Sequence, residues 1–292
     1  MSSGGQEIVS KRVVLLTGSD LRHSFVRKAI ALSEGVSVIR SYCEGTEKSV
    51  RRLVDAEDAG ADTARSRHLA ARDQSERDFF AAFVALAPDR SAPMLIAKGD
   101  INAPGHADDV AELRPDMLAC YGGSLIRAPL LTRFEGRFLN VHLGLSPYYR
   151  GAGTNFWPLV RGEPEFVGAT FMHIDAGIDT GKVIHQIRAR VLPGDSPHQI
   201  GNRLIVDMAL VYADIISKFS ILPDMAQLPK PADVSVYRQK DFTEASAQEV
   251  VRQFAEGLVD RYLREIEQRA LRAPIVENPA VWSVAQLSGE RT

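Results

Sequence analysis

Asn140 and His142 stand two residues apart at the end of the apolar run RFLNVH, and Asp175 and Asp179 stand four apart in DAGIDTG. An amide and an imidazole both donate hydrogen bonds, the imidazole also exchanges a proton near neutral pH, and a carboxylate accepts from either. Side chains alternate along a strand, so Asn140 and His142 project to one side while Leu139 and Val141 take the other. Two polar groups on one face can reach one ligand together. The alternative is local, with Asn140 turning the chain and His142 satisfying a backbone carbonyl. Gly177 and Gly181 let the acidic loop bend tightly and let a ligand approach the main chain, a pattern that a plain polar hairpin turn shares. Between the two pairs runs LGLSPYYRGAG, where Pro147 fixes one bend, Gly151 and Gly153 permit others, and Arg150 offers a guanidinium.

The elements that must position these groups read as α/β. Val13 to Leu16 form a short apolar run, HSFVRKAIAL spaces Phe25, Ala29 and Ile30 along one helical face, Gly35 stops that helix, and VSVIRSY is a second strand rich in β-branched residues. A strand, helix, strand unit of this kind opens a parallel sheet. Residues 46–88 are charged and alanine-rich without proline until Pro88, and predict one or two long helices forming a solvated insertion that can also pack on a partner subunit of a homodimer. MLIAK, DMLACYG and RFLNVH give three further strands, and GATFMHI and KVIHQI flank the acidic loop as two more. In such sheets ligand clefts open at the carboxyl ends of strands, where LNVH ends.

Composition sets limits on function. Thirty-five basic residues against 37 acidic ones create no field that would gather polyanions, so nucleic acid is not an expected partner and a small molecule is. No window approaches the roughly 20 apolar residues of a membrane span, and the start MSSGGQEIVSK lacks a signal peptide's charge and apolar core, so a cytoplasmic location with no membrane partner is expected. Cys43 and Cys120 are the only cysteines, too few for a disulfide framework or a cysteine-built metal cage. Gly18 is followed by no glycines at the dinucleotide spacing, and GxxxxGK[ST], HExxH and GxSxG are all missing.

NVH, a proline-bearing loop ending in RG, and DxGxDTG some 35 residues on together resemble the catalytic core of the folate-dependent formyltransferases, the superfamily of the glycinamide ribonucleotide, methionyl-tRNA and sugar N-formyltransferases. The resemblance covers residues 90–210 clearly and the opening strand and helix loosely. It implies a Rossmann-like, mostly parallel sheet flanked by helices, the catalytic domain spanning 10–225 with 46–88 as its insertion, followed by a small C-terminal extension, 226–292, of tail and helix. It further implies that Asn140, His142 and Asp179 form the catalytic trio, and that Ser124, Leu125 and Ile126, with the loop Asp175, Ala176, Gly177 and Ile178, lie beside the pterin of 10-formyltetrahydrofolate. Tyr148, Arg150 and Gly151 fall on the acceptor side, with Arg150 placed to meet an anion. The family's common SLLP is here GLSP at 144–147.

The implied chemistry needs no metal. A neutral amine attacks the formyl carbon, so the site must stabilise a negative oxygen and remove a proton from nitrogen; Asn140 and His142 can donate to the oxygen, and Asp179 can hold the imidazole's tautomer or help move the proton. The expected acceptor is the amine of a small metabolite, with a nucleotide-linked amino sugar the first candidate. Water as acceptor would make the protein a 10-formyltetrahydrofolate hydrolase, and a non-catalytic folate-fold binding or assembly protein is the reading from another class. After the core comes PKPADVSVYRQKDFT, which looks unsuited to tRNA, then a helix over 247–267 with a capping box at Ser246 to Glu249 and Val250, Phe254, Leu258, Tyr262 and Ile266 at every fourth position. Phe156 and Trp157 pack a helix start beneath the site or stack on a base or sugar.

Overall fold

KRVVLLTG does not alternate, because both its faces are covered. Val13, Val14, Leu15 and Leu16 are each 2% exposed or less, as in an interior strand of a parallel sheet. A computed structural model describes residues 10–47, 49–230 and 235–283; the start of the chain, residues 231–234 of the PKPADV tail and the end of the extension lie outside the described residues.

The order of elements is β1 (Lys11–Gly18), α1 (Leu21–Ala31), β2 (Val36–Glu44), α2 (Val50–Asp58), α3 (Ala64–Leu86), β3 (Pro93–Ile96), α4 (Pro104–Glu112), β4 (Met117–Tyr121), α5 (Leu130–Arg133), β5 (Phe138–His142), β6 (Tyr149–Gly151), α6 (Trp157–Val160), β7 (Gly168–His173), β8 (Val183–Arg188), α7 (Pro197–Lys218), β9 (Ser235–Tyr237), α8 (Glu244–Ala255), α9 (Leu258–Arg264) and α10 (Ile266–Ala270). Seven strands form one sheet in the order β3-β2-β1-β4-β5-β7-β8, parallel from β3 to β5 and antiparallel at β7 and β8. The strand order reverses between β1 and β4, and the crevice outside their carboxyl ends is where such a sheet receives a ligand. Strands β6 and β9 make a separate parallel pair.

One face of the sheet carries α1, α3 and α7, the other α4 and α5. Helix α7 starts with a capping box, Ser196 against Gln199, and Pro197 at its first turn, and its buried Tyr212 hydroxyl accepts from the Cys120 amide of β4 at 3.1 Å and donates to the Cys120 carbonyl at 3.3 Å. Among the described residues no helix is long and apolar enough to cross a membrane, and no cluster of three or more His, Cys, Asp or Glu could hold a metal ion.

Three expectations need correction. The 46–88 segment forms two helices, but α3 is not solvated: Phe80 is fully buried with its ring 4.7 Å from that of Phe25, and the helix packs on α1 and α7. The capping box of α8 is Thr243 with Ser246, one turn earlier than read from the sequence. The four-residue apolar repeat does not run through one helix either, since Gly257 takes φ 79 and ends α8, and Glu265 separates α9 from α10. Val250, Leu258 and Tyr262 still reach the core, whereas Ile266 stays 41% exposed.

Because Phe80 fills a closed site between helices, Phe80→Ala should destabilise the protein by about 3–5 kcal/mol in urea unfolding. A change within about 0.5 kcal/mol, the usual size for a surface position, would return α3 to the solvent.

Candidate functional site

The imidazole of His142 is buried at the carboxyl end of β5, where Asn140 pairs with Cys120 of β4 on one side and Met172 of β7 on the other. Its Nε2 lies 3.1 Å from the Tyr149 carbonyl oxygen. A carbonyl only accepts, so this contact places the ring hydrogen on Nε2. Nδ1 then faces the Asp179 carboxylate, 3.4 Å from Oδ2. The tautomer is therefore set by Tyr149 rather than by Asp179, and a proton arriving at Nδ1 would be held between ring and carboxylate.

Asp179 reaches this place at a conformational cost. Its φ of 51 is in the left-handed region, sparsely used outside glycine. The Gly151 amide donates to the same Oδ2 at 3.0 Å and holds it there. Upstream, Asp175 Oδ1 accepts from the Gly177 amide at 2.9 Å and the Thr180 hydroxyl at 2.6 Å, so this carboxylate shapes its own loop. Gly181 is required by close approach, since a Cβ there would collide with the His173 carbonyl.

The loop after β5 is fixed to the sheet beneath it. Thr170 Oγ1 accepts from the Ser146 amide at 3.0 Å and donates to the Gly144 carbonyl at 2.6 Å, and Gln186 donates to the Ser146 carbonyl at 2.6 Å. Arg150 does not point into the cleft to await an anion: its Nε and Nη2 both donate to the Ile178 carbonyl, at 3.1 and 2.6 Å. Two converging N–H groups suit one carbonyl, and they bracket the two loops together. Tyr148 also turns away, with its hydroxyl 3.0 Å from the Pro274 carbonyl and its ring against Phe166, and neither it nor Arg150 lines the cleft. Gly151 does line it.

The cleft beside the trio has a volume of about 1080 Å³. Ser124, Leu125 and Ile126 line it after β4, and Asp175, Gly177 and Ile178 after β7, while Ala176 is exposed outside it. Ile126 is buried among the residues under the sheet, the Ser124 amide donates to Glu44 Oε2 at 2.7 Å, and the Leu125 carbonyl accepts from Asn102 at 3.0 Å. Leu125 and Ile178 are 47% and 48% exposed at the cleft, apolar groups that a flat ring would cover.

Sequence reasoning missed Glu44. It is 2% exposed at the end of β2, and it also accepts from Lys98 Nζ at 2.9 Å and the Gly99 amide at 3.0 Å. Charged residues closing two neighbouring apolar strands, VSVIRSYCE and MLIAK, were the available signal. His23 was missed too: its ring fills the gap between Gly18 and Gly122, Nδ1 accepts from the Asp20 amide at 3.2 Å, and burial keeps it well below the usual imidazole range.

The opposite wall comes from α2, α3 and α7. There His68 and His198 meet with ring centroids 4.4 Å apart, beside Phe156 and Phe242. Burial pushes His68 down to about 3, with the charges of His198 and Arg72 adding to it, and His198 down to about 4, with Arg72 adding to it and Asp73 opposing it.

A family model described as formyl transferase matches residues 11–213. Among curated proteins, the methionyl-tRNA formyltransferase of Burkholderia ambifaria (strain MC40-6) is 30% identical over 142 residues, 47% of this chain and 43% of that protein. That of Burkholderia multivorans (strain ATCC 17616 / 249) is 33% identical over 102 residues, 35% of this chain and 31% of that protein. The chain thus matches less than half the length of these relatives. Among solved structures, a sugar N-formyltransferase from Shewanella sp FDAARGOS_354 superposes with a TM-score of 0.52 at 14% identity, covering 80% of this chain and 78% of that one. The glycinamide ribonucleotide transformylase 1 from Symbiobacterium toebii gives 0.50 at 20% identity, covering 78% and 97%. At these identities the likeness is one of fold.

The paired histidines give the site a pH signature. Both stay neutral in the fold down to about 4 and about 3, but in the unfolded chain each takes a proton near 6.5. The unfolded state therefore binds more protons below that pH, so stability is fully present above about 6.5 and is lost as the pH falls through the folded values. His68→Phe and His198→Phe should each flatten the fall of stability in that window, read from urea midpoints at several pH values. Slopes equal to the unsubstituted protein's would mean that neither ring is neutral in the fold.

Proposed function

The chain belongs to the formyl transferase family, and from that premise we propose that it transfers the formyl group of 10-formyltetrahydrofolate to the amine of a small metabolite, with Asn140, His142 and Asp179 as the reacting trio. The observation that carries the reading is the imidazole of His142 held between an acceptor carbonyl and a carboxylate, two residues along β5 from Asn140.

In this reaction a bond forms between the amine nitrogen and the formyl carbon, the formyl oxygen becomes negative, and the bond to the folate nitrogen then breaks. Asn140 donates its amide hydrogen to that oxygen, a contribution worth roughly 3 to 4 kcal/mol for comparable donors. The amine proton leaves by way of the Asp179 carboxylate, which shares it with His142 Nδ1 while Tyr149 keeps Nε2 in place, and it then passes to the departing nitrogen. Leu125 and Ile178 cover the faces of the pterin, and the loop of Asp175 to Ile178 offers its main chain. Residues 10–225 form the unit that carries this chemistry.

A nucleotide-linked amino sugar is the first acceptor to try. Two arguments support it: the cleft's volume of about 1080 Å³ lies at the top of the range for small-molecule sites, and the far wall sets rings, Phe156 and Phe242, beside ion-paired, hydrogen-bonding side chains, Arg51 and Arg72. Purified protein with 10-formyltetrahydrofolate and a panel of acceptors, amino-sugar nucleotides, glycinamide ribonucleotide and methionyl-tRNA among them, should yield one product heavier by one formyl group in mass spectrometry. Folate turnover with no formylated product would identify water as the acceptor, and formylated methionyl-tRNA alone would replace the small metabolite with the nucleic acid.

The trio's part is tested separately. Asn140→Ala and His142→Ala should lower the single-turnover rate on the order of 10²–10³-fold while folate affinity stays within about threefold, because the charge they meet exists in the transition state. A loss of affinity as large as the loss of rate would reduce these residues to holding the folate.

A further inference from the structure

Both contacts that orient His142 and Asp179 come from one short piece of backbone. Tyr149 gives the carbonyl for Nε2 and Gly151 the amide for Oδ2, two residues apart in β6. That backbone is held in turn from outside the seven-stranded sheet. Strand β9 pairs with it in parallel, Gly151 opposite Tyr237, and the Ala152 amide donates to the Tyr237 carbonyl at 2.8 Å. Gly151 has φ 93, and a Cβ there would collide with the same carbonyl, so the approach tolerates no side chain.

The side chains repeat the arrangement. The rings of Tyr149 and Tyr237 are 5.9 Å apart at 10°, and those of Tyr237 and Trp157 are 4.6 Å apart at 12°, a parallel stack of three rings with Tyr237 in the middle. Arg161 lies over it, 5.7 Å from the Tyr149 ring and 5.5 Å from that of Tyr237. Trp157 Nε1 donates to the Ala152 carbonyl at 3.1 Å, so the outer ring also grips the backbone that β9 grips. Removing the middle ring frees Tyr149 on one side and loosens β9 on the other.

We propose that Tyr237 is a positioning residue for the His142–Asp179 pair, acting through the Tyr149–Tyr237–Trp157 stack. It touches no reacting atom. Its effect on turnover rests on the formyl-transfer reading above, whereas its effect on the imidazole does not.

The test uses the full chain with Tyr237→Leu, which keeps apolar bulk but no ring, and Tyr237→Phe, which keeps the ring. Nitrogen-15 NMR of the His142 ring, assigned by its loss in His142→Gln, reads the tautomer directly. The neutral ring should carry its hydrogen on Nε2 in the unsubstituted protein and in Tyr237→Phe, and divide between both nitrogens in Tyr237→Leu. Single-turnover rate should fall roughly tenfold or more in Tyr237→Leu with folate affinity within about threefold, and Tyr237→Phe should restore most of it, as misplacement rather than lost binding predicts. Arg161→Met, at an exposed position, serves if Tyr237→Leu does not fold, and should shift the tautomer in the same direction by less. An unchanged His142 tautomer in the folded ring-less variants, or a Phe variant no better than Leu, overturns the proposal. If the unsubstituted protein transfers formyl to no acceptor, the functional reading fails and the NMR result still decides this one.

Discussion

The two nitrogens of one imidazole set the layout of the site. Nε2 has to donate to a carbonyl, so the chain leaving β5 must fold back until Tyr149 meets the ring. Nδ1 faces a carboxylate, so the loop after β7 must reach in from the other side, and it does so by taking Asp179 to φ 51. Such a conformation costs on the order of 1 kcal/mol, which neighbouring contacts must offset. They do so mutually: the Gly151 amide holds the Asp179 carboxylate, and Arg150 holds the carbonyl of the residue before it. Neither loop is positioned by its own sequence alone.

A buried carboxylate performs the matching task on the other side of the crevice, where β2, β3 and β4 end. Glu44 has little access to water, and an isolated charge there would be expensive. It is instead met by the Lys98 ammonium and by the amides of Gly99 and Ser124, which follow β3 and β4. Three strand ends are thereby tied at one point, and the segment Ser124 to Ile126 is shaped before any ligand arrives. The crevice is preorganised on both sides, which spares binding energy for the reacting groups.

Local pattern was enough for some of this. The five parallel strands, the first helix and the antiparallel pair around DAGIDTG were legible because each is a run of apolar residues bounded by glycine or polar turns. Asn140 and His142 were legible as a pair because strand alternation fixes their shared side. What sequence alone could not show is who meets whom across distance. Arg150 looks like a ligand for an anion until its carbonyl partner is seen, Glu44 looks like a strand's last residue, and Tyr237 sits in a tail whose pairing with β6 no periodicity announces. The apolar repeat through 250–266 misled for a related reason: it describes a buried face, and the chain keeps that face through the break at Gly257.

The wall opposite the trio constrains what it can receive. Glu76 lies 2.6 Å from Arg22 and 3.7 Å from Arg72, Asp73 lies 3.1 Å from Arg72 and 2.6 Å from Arg51, and Asp20 lies 2.7 Å from Arg22. Three guanidinium groups thus share three carboxylates and balance them in charge, while Arg52 and Arg77, exposed on α2 and α3, line the cleft as well. A neutral, hydroxyl-bearing group can exchange hydrogen bonds with such a network while every ion pair stays closed. A phosphate at the same place would have to separate a guanidinium from its carboxylate, losing a charge-assisted bond for each one gained. At these closed pairs a neutral hydrogen-bonding group therefore fits better than an anion, which would be met at lower cost by the guanidinium groups outside the cluster.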